Sequence, residues 1–97
     1  MATRFADVLR RTAAGELRAD EFTAPVWEYI ASHADQMKRD FTSFGPVQNM
    51  TLVERMEANE EQSYRYLVRF SRTTFVLHFV LTKEGRISVI MPELVNQ

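Results

Sequence analysis

The chain has 97 residues, 45% of them apolar and 26% charged, a balance that suits one globular domain with a core of its own. Twelve basic residues against thirteen acidic ones leave a net charge of −1, which argues against a strongly basic nucleic-acid binder. The lack of cysteine removes disulfides, thiolate metal sites and thiol nucleophiles, and no apolar run approaches the ~20 residues of a membrane span. The opening MATRFADVLRR has no signal-peptide apolar core, which implies a cytoplasmic location if the chain is complete.

The first half has helical period. Thr3 stands where an N-cap would, and Phe5, Val8, Leu9, Thr12 and Ala13 share one face of a short helix that Gly15 ends. Leu17 and Phe22 turn inward from a connector over 16–23. A second helix is expected from Pro25 to Phe44, capped by Thr23, with Pro25 in the first turn and Gly45-Pro46 as its stop. Its stripe is Val26, Ile30, Ala34, Met37, Phe41 and Phe44, and it would be about 30 Å long.

The second half changes to period two. An extended run from Val47 puts Met50, Leu52 and Met56 on one face, and Asn59-Glu60-Glu61-Gln62 reads as a polar, mobile loop. Tyr64, Tyr66, Val68 and Phe70 then alternate with Arg65, Leu67, Arg69 and Ser71. Phe75, Leu77, Phe79 and Leu81 alternate with Thr74, Val76, His78 and Val80, and Ile87, Val89 and Met91 form a last strand that Pro92 closes. A four-residue turn from Ser71 to Thr74 would set Phe70 opposite Phe75. Lys83-Glu84-Gly85 reads as a three-residue hairpin loop that sets Leu81 opposite Ile87 and Phe79 opposite Val89. The expected fold is α+β: two N-terminal helices packed on a curved four-stranded antiparallel meander, one domain over residues 1–97.

These residues carry a resemblance. The runs FTSFGPVQNMTLVERM, YRYLVRF and TTFVLHFVLTKEGRIS, with FADVLRRTAAGE before them, resemble a small domain appended to bacterial serine beta-lactamase-like hydrolases. The likeness covers residues 4–92. It implies a cystatin-like, or nuclear-transport-factor-2-like, fold and a hydrolase domain as the natural partner. Its motifs mark the fold, so it carries no catalytic residues over. The hydrolase nucleophile pattern Ser-x-x-Lys is missing here: Ser32, Ser43, Ser63, Ser71 and Ser88 are followed three places on by Asp35, Pro46, Tyr66, Thr74 and Met91.

Few residues suggest chemistry. His33 and His78, even with Asp35 or Asp40, are too few for a closed metal site and read better as ordinary polar positions, so no metal or cofactor is expected. The aromatic set Trp27, Tyr29, Tyr64, Tyr66, Phe70, Phe75 and Phe79 reads first as core. Its alternative is a ligand cavity between helix and sheet, using Trp27, His33, Tyr64 and Tyr66. Arg65, Arg69 and Arg72 make a thin phosphate track beside Glu54, Glu57, Glu60 and Glu61. A pairing of Glu57 with Arg65 accounts for them better, and no nucleic-acid partner is expected.

The sheet face opposite the core is the most informative surface. It would present Val53, Leu67, Val76, His78, Val80 and Ile90, with Leu67, His78 and Ile90 in one row, more apolar than a face meant for water alone. The resulting expectation is a non-enzymatic accessory or interaction domain. It would form a homodimer, or dock on a hydrolase domain, through this face. The alternative is a small-molecule-binding or weakly catalytic domain that uses the aromatic cavity.

Overall fold

The computed structural model describes residues 1–93. Helix α1 (Ala2–Ala14) and a 3-10 turn (Ala19–Glu21) lead to α2 (Ala24–Ser32) and α3 (Ala34–Phe44). Strands β1 (Val47–Ala58), β2 (Glu61–Phe70), β3 (Thr74–Leu81) and β4 (Ile87–Glu93) follow as an antiparallel meander in the order β1-β2-β3-β4. The α+β expectation and the antiparallel four-strand order both hold.

The core lies between the helices and one sheet face. Phe5, Val8, Leu9, Phe22 and Ile30 meet Tyr64, Tyr66, Val68, Phe70, Leu77, Phe79, Leu81 and Ile87 there. Alternate residues of β2 and β3 supply nearly all of the sheet's share, as period-two patterning requires. Phe5 stacks on Phe79 with ring centroids 4.0 Å apart and meets Tyr64 and Tyr66 edge-on. Arg11 is the one charged residue buried here among the described residues. Its Nε donates to Asp7 at 2.9 Å and its Nη2 to Glu21 at 2.8 Å, which ties α1 to the 3-10 turn.

Two expectations about the helices need correction. The first helix starts at Ala2, with Met1 rather than Thr3 at its N-cap, and ends as expected at Gly15, which is left-handed at φ 75°. The single helix expected over 25–44 is two. His33 leaves helical geometry at φ −120° and ψ 16°, while its amide still reaches the carbonyls of Tyr29 and Ile30. Its Nδ1 lies 2.8 Å from the Tyr29 carbonyl, and its ring stacks on Tyr29. These local bonds satisfy the end of α2, and the His33 carbonyl accepts from Met37 N–H at 2.9 Å as α3 begins. Ala34 drops out of the apolar stripe and is exposed.

The strand register departs from expectation at three places. The turn between β2 and β3 is closed by Phe70 N–H donating to Thr73 at 2.8 Å, so Val68, not Phe70, faces Phe75. A two-residue slip keeps every side chain on its face but changes its neighbours. Leu81 does pair with Ile87, and Gly85 at φ 81° turns that hairpin. A bulge next to this pair then sets Phe79 opposite Ile90 and Val80 opposite Val89. The extra residue turns Ile90 onto the core face, so it does not belong to the outer face as expected. A second bulge, between Leu52 and Glu54, leaves Met50 packed on the core and Leu52 opposite Tyr66 but exposed, and carries Met56 outward with Ser63. It also makes Glu54, not Glu57, the partner of Arg65.

The loop expected over 59–62 is a tight two-residue turn. Asn59 and Glu60 take φ of 54° and 67°, the left-handed pair that two-residue hairpins favour. At the sheet edges, β4 is partly closed by a parallel bridge from Phe22 to Ile87. The free edge of β1 carries its bulge and the charges of Glu54, Arg55 and Glu57, devices that oppose edge-to-edge pairing.

Candidate functional site

A groove lies between the helices and the sheet. α2 and α3 form one wall, and β3 and β4 form the other. The space between is about 640 Å³, lined mainly by Val26, Ile30, Met37, Phe41, Phe44, Leu77 and Ile90. That volume is in the range of small-molecule sites, about 300–1,000 Å³. Polar groups are few. Asp40 is the only carboxylate in the lining among the described residues, and its Oδ1 accepts from Gln36 Nε2 at 2.8 Å. Tyr29 and Ser88 complete the polar part of the wall.

None of the four residues expected to form a cavity lines this groove. Trp27 is half-buried against Phe22, with ring centroids 6.0 Å apart. His33 is exposed on the end of α2. Tyr64 and Tyr66 are buried beneath Phe5, where the Tyr64 hydroxyl donates to Gln62 at 2.6 Å. Burial raises the Tyr66 hydroxyl above its ordinary pKa, which keeps it protonated and unsuited to act as a base. Of the wider aromatic set, Tyr29 and Phe75 border the space, together with Phe41 and Phe44. Composition alone could not separate these two aromatic groups, because both follow the same periodicities.

On the outer face, the register sorts side chains into cross-strand rows. Thr51, Leu67 and Val76 form one row. Glu54, Arg65, His78 and Met91 form the next, and Met56, Ser63, Val80 and Val89 the third. The expected row of Leu67, His78 and Ile90 is therefore not formed. His78 lies opposite Arg65, Leu67 opposite Val76, and Ile90 faces the core. The centre of the face is polar: Arg65 Nε donates to Glu93 at 3.0 Å, and Arg65 Nη1 donates to Glu54. Ser63 Oγ is 2.7 Å from His78 Nε2, and His78 Nδ1 is 3.7 Å from Glu93. Apolar groups flank this network. Val53 at 59%, Met56 and Met91 at 54%, and Leu67 at 37% are its most exposed members. Sequence reasoning missed Ser63 and Glu93, whose only signal is a strand pairing that could not be read before the turns were known.

Burial holds the His78 imidazole below its ordinary pKa of 6.5. The Arg65 charge adds to that effect, against the opposing pull of Glu93 and Glu54. A folded-state pKa below the unfolded value means that the unfolded chain takes up the proton first. This contribution to stability is thus complete above pH 6.5 and is lost as pH falls through the lower, folded value. Urea unfolding from pH 8 to pH 5 is expected to show that decline, and His78→Gln is expected to flatten it (equal slopes in both proteins would refute this account of His78).

Comparison with protein-family models, curated proteins and solved structures returns no match. Among the described residues, no three His, Asp or Glu side chains gather as metal ligands, and no helix is long and apolar enough to cross a membrane.

Proposed function

We propose that this domain binds a small apolar molecule in the groove between α2, α3 and the sheet. The observation that carries the reading is the groove itself: a pocket of ligand size, walled by aliphatic and aromatic side chains, with Asp40 as its lone carboxylate among the described residues. Asp40 suits a ligand whose polar end is a hydrogen-bond donor or a cation rather than an anion. The reading is one of binding: Ser88 Oγ, the hydroxyl nearest in kind to a nucleophile, is turned to the Val80 carbonyl at 3.4 Å rather than to a base.

The same proposal places the domain in the cystatin-like, nuclear-transport-factor-2-like superfold, on helices that cover one face of an antiparallel meander and on the resemblance of residues 4–92. A hydrolase domain would then be its neighbour. A second reading, self-association or docking through the outer face, draws on exposed Val53, Met56, Leu67 and Met91. It ranks second because the middle of that face is held by Arg65, Glu54, Glu93 and His78 rather than by an unbroken apolar row.

A neutral naphthylamine dye tests the groove. It is expected to bind saturably, one per chain, with a rise in fluorescence. Val26→Trp, which fills the groove from a half-buried helix position, is expected to weaken binding at least about tenfold, or ~1.4 kcal/mol, without lowering the urea midpoint. Dye binding unaffected by that change would sink the proposal. A protein that ignores the dye but sediments as a dimer, and becomes monomeric on Leu67→Arg, would favour the outer face instead.

A further inference from the structure

We propose that Ser63 is an activated nucleophile on the outer sheet face, able to accept a short apolar acyl group from an activated ester. The geometry is that of nucleophile, base and orienting acid. Ser63 Oγ is 2.7 Å from His78 Nε2, and the other ring nitrogen, Nδ1, is 3.7 Å from Glu93 Oε1. That order matches the arrangement by which serine, imidazole and carboxylate act together on unrelated folds. Glu93, at 3.7 Å, is too far for a hydrogen bond but attracts a proton on Nδ1; in that tautomer Nε2 accepts from the Ser63 hydroxyl. The burial that holds His78 neutral near pH 7 keeps Nε2 available as a base.

Rigid elements set this arrangement. Ser63 is on β2 and His78 on β3, and the Arg65–His78 and Ser63–Val80 pairs fix their diagonal relation. Arg65, two places along the same strand face, bonds Glu93 and so holds the carboxylate near the imidazole. Ser63 stands in the row of Met56, Val80 and Val89, an apolar bed for the acyl chain.

The step balances without a further reagent. Ser63 Oγ attacks the ester carbonyl carbon, and the hydroxyl proton passes to His78 Nε2. The bond from carbon to the leaving oxygen breaks, and the leaving group departs as an aryloxide, which takes up the proton from His78 or water. The products are acyl-Ser63 and a phenol. Ser63, His78 and Glu93 do not line the groove, so the test of this site is independent of ligand binding there.

The experiment treats the full chain with p-nitrophenyl butyrate and follows both nitrophenolate release and the mass of each serine-containing peptide. The expected result is a burst of about one nitrophenolate per chain, with the butyryl group on Ser63. The burst rate should rise with pH as His78 loses its proton, in a range below 6.5. Ser63→Ala should abolish the burst, and His78→Gln should slow it about 100-fold, the lower range for loss of a general base. Labelling of Ser63 no faster than that of exposed Ser32 or Ser43 in the same wild-type sample would overturn the proposal, whether or not any variant folds. An unchanged rate in folded His78→Gln would overturn it equally.

Discussion

Phe79→Ala is expected to lower the unfolding free energy by about 3–5 kcal/mol. Phe79 has no exposed surface and lies in the middle of β3, between Tyr64 on one neighbouring strand and Ile90 on the other. Above it, Phe5 of α1 stacks at 4.0 Å and nearly parallel, and Tyr66 approaches edge-on at 6.5 Å. Removing the ring deletes its transfer energy and leaves a void that three strands and a helix cannot collapse into without breaking ladder bonds. The loss would be a large part of the ~5–15 kcal/mol that holds a domain of this size. Phe5→Leu supplies the graded comparison: it keeps an apolar group over Phe79 and should cost well under half as much. A Phe79→Ala effect below ~1 kcal/mol in urea melts would mean that the stacked pair is not the centre of the core.

The centre of this core was legible from alternation alone. Tyr64, Tyr66, Val68 and Phe70 on one strand, and Leu77, Phe79 and Leu81 on the next, are buried as their spacing demands. Alternation reports the face of a residue within its own strand, and it fails wherever a strand gains a residue relative to its neighbour. Ile90 and Met56 changed faces for that reason, each just beyond a bulge. The break at His33 was hidden differently. A stripe stepping by threes and fours survives one non-helical residue, because Ile30, Met37 and Phe41 still point the same way.

The candidate sites depend on just those hidden features. The groove's lining includes Ile90, which a bulge turns inward, so that lining did not follow from composition. The pairing of Ser63 with His78 joins residues fifteen positions apart. It depends on a β2–β3 register two residues away from the one that the turn sequence suggests. Long-range chemistry on a sheet is set by register, and register here is set by turns without glycine, where local sequence says least.

A turn that does contain glycine packs against the β2–β3 turn. Gly45 ends α3 at φ 82° and ψ −179°, a combination that essentially only glycine adopts. A Cβ at this position would lie 1.8 Å from Ser71 Oγ and 3.1 Å from Ser71 Cβ. The contact exists because two corners are stitched together. Ser71 N–H donates to the Pro46 carbonyl, and Arg72 N–H donates to the Phe44 carbonyl, both at 3.0 Å. Gly45→Ala therefore meets two separable costs. Backbone strain is about 1–3 kcal/mol, and displacement of the Ser71 side chain loosens the stitch that seats the β2–β3 turn against α3. A total loss near 3 kcal/mol is expected in urea melts. Adding Ser71→Gly to Gly45→Ala clears the nearest atoms but leaves φ positive, so it should recover part of the loss and never all of it. Full recovery would show that steric contact alone makes glycine necessary here. No recovery, with the single variant as costly as expected, would assign the whole cost to the backbone. A Gly45→Ala chain as stable as the wild type would mean that this corner does not hold α3 and the β2–β3 turn together.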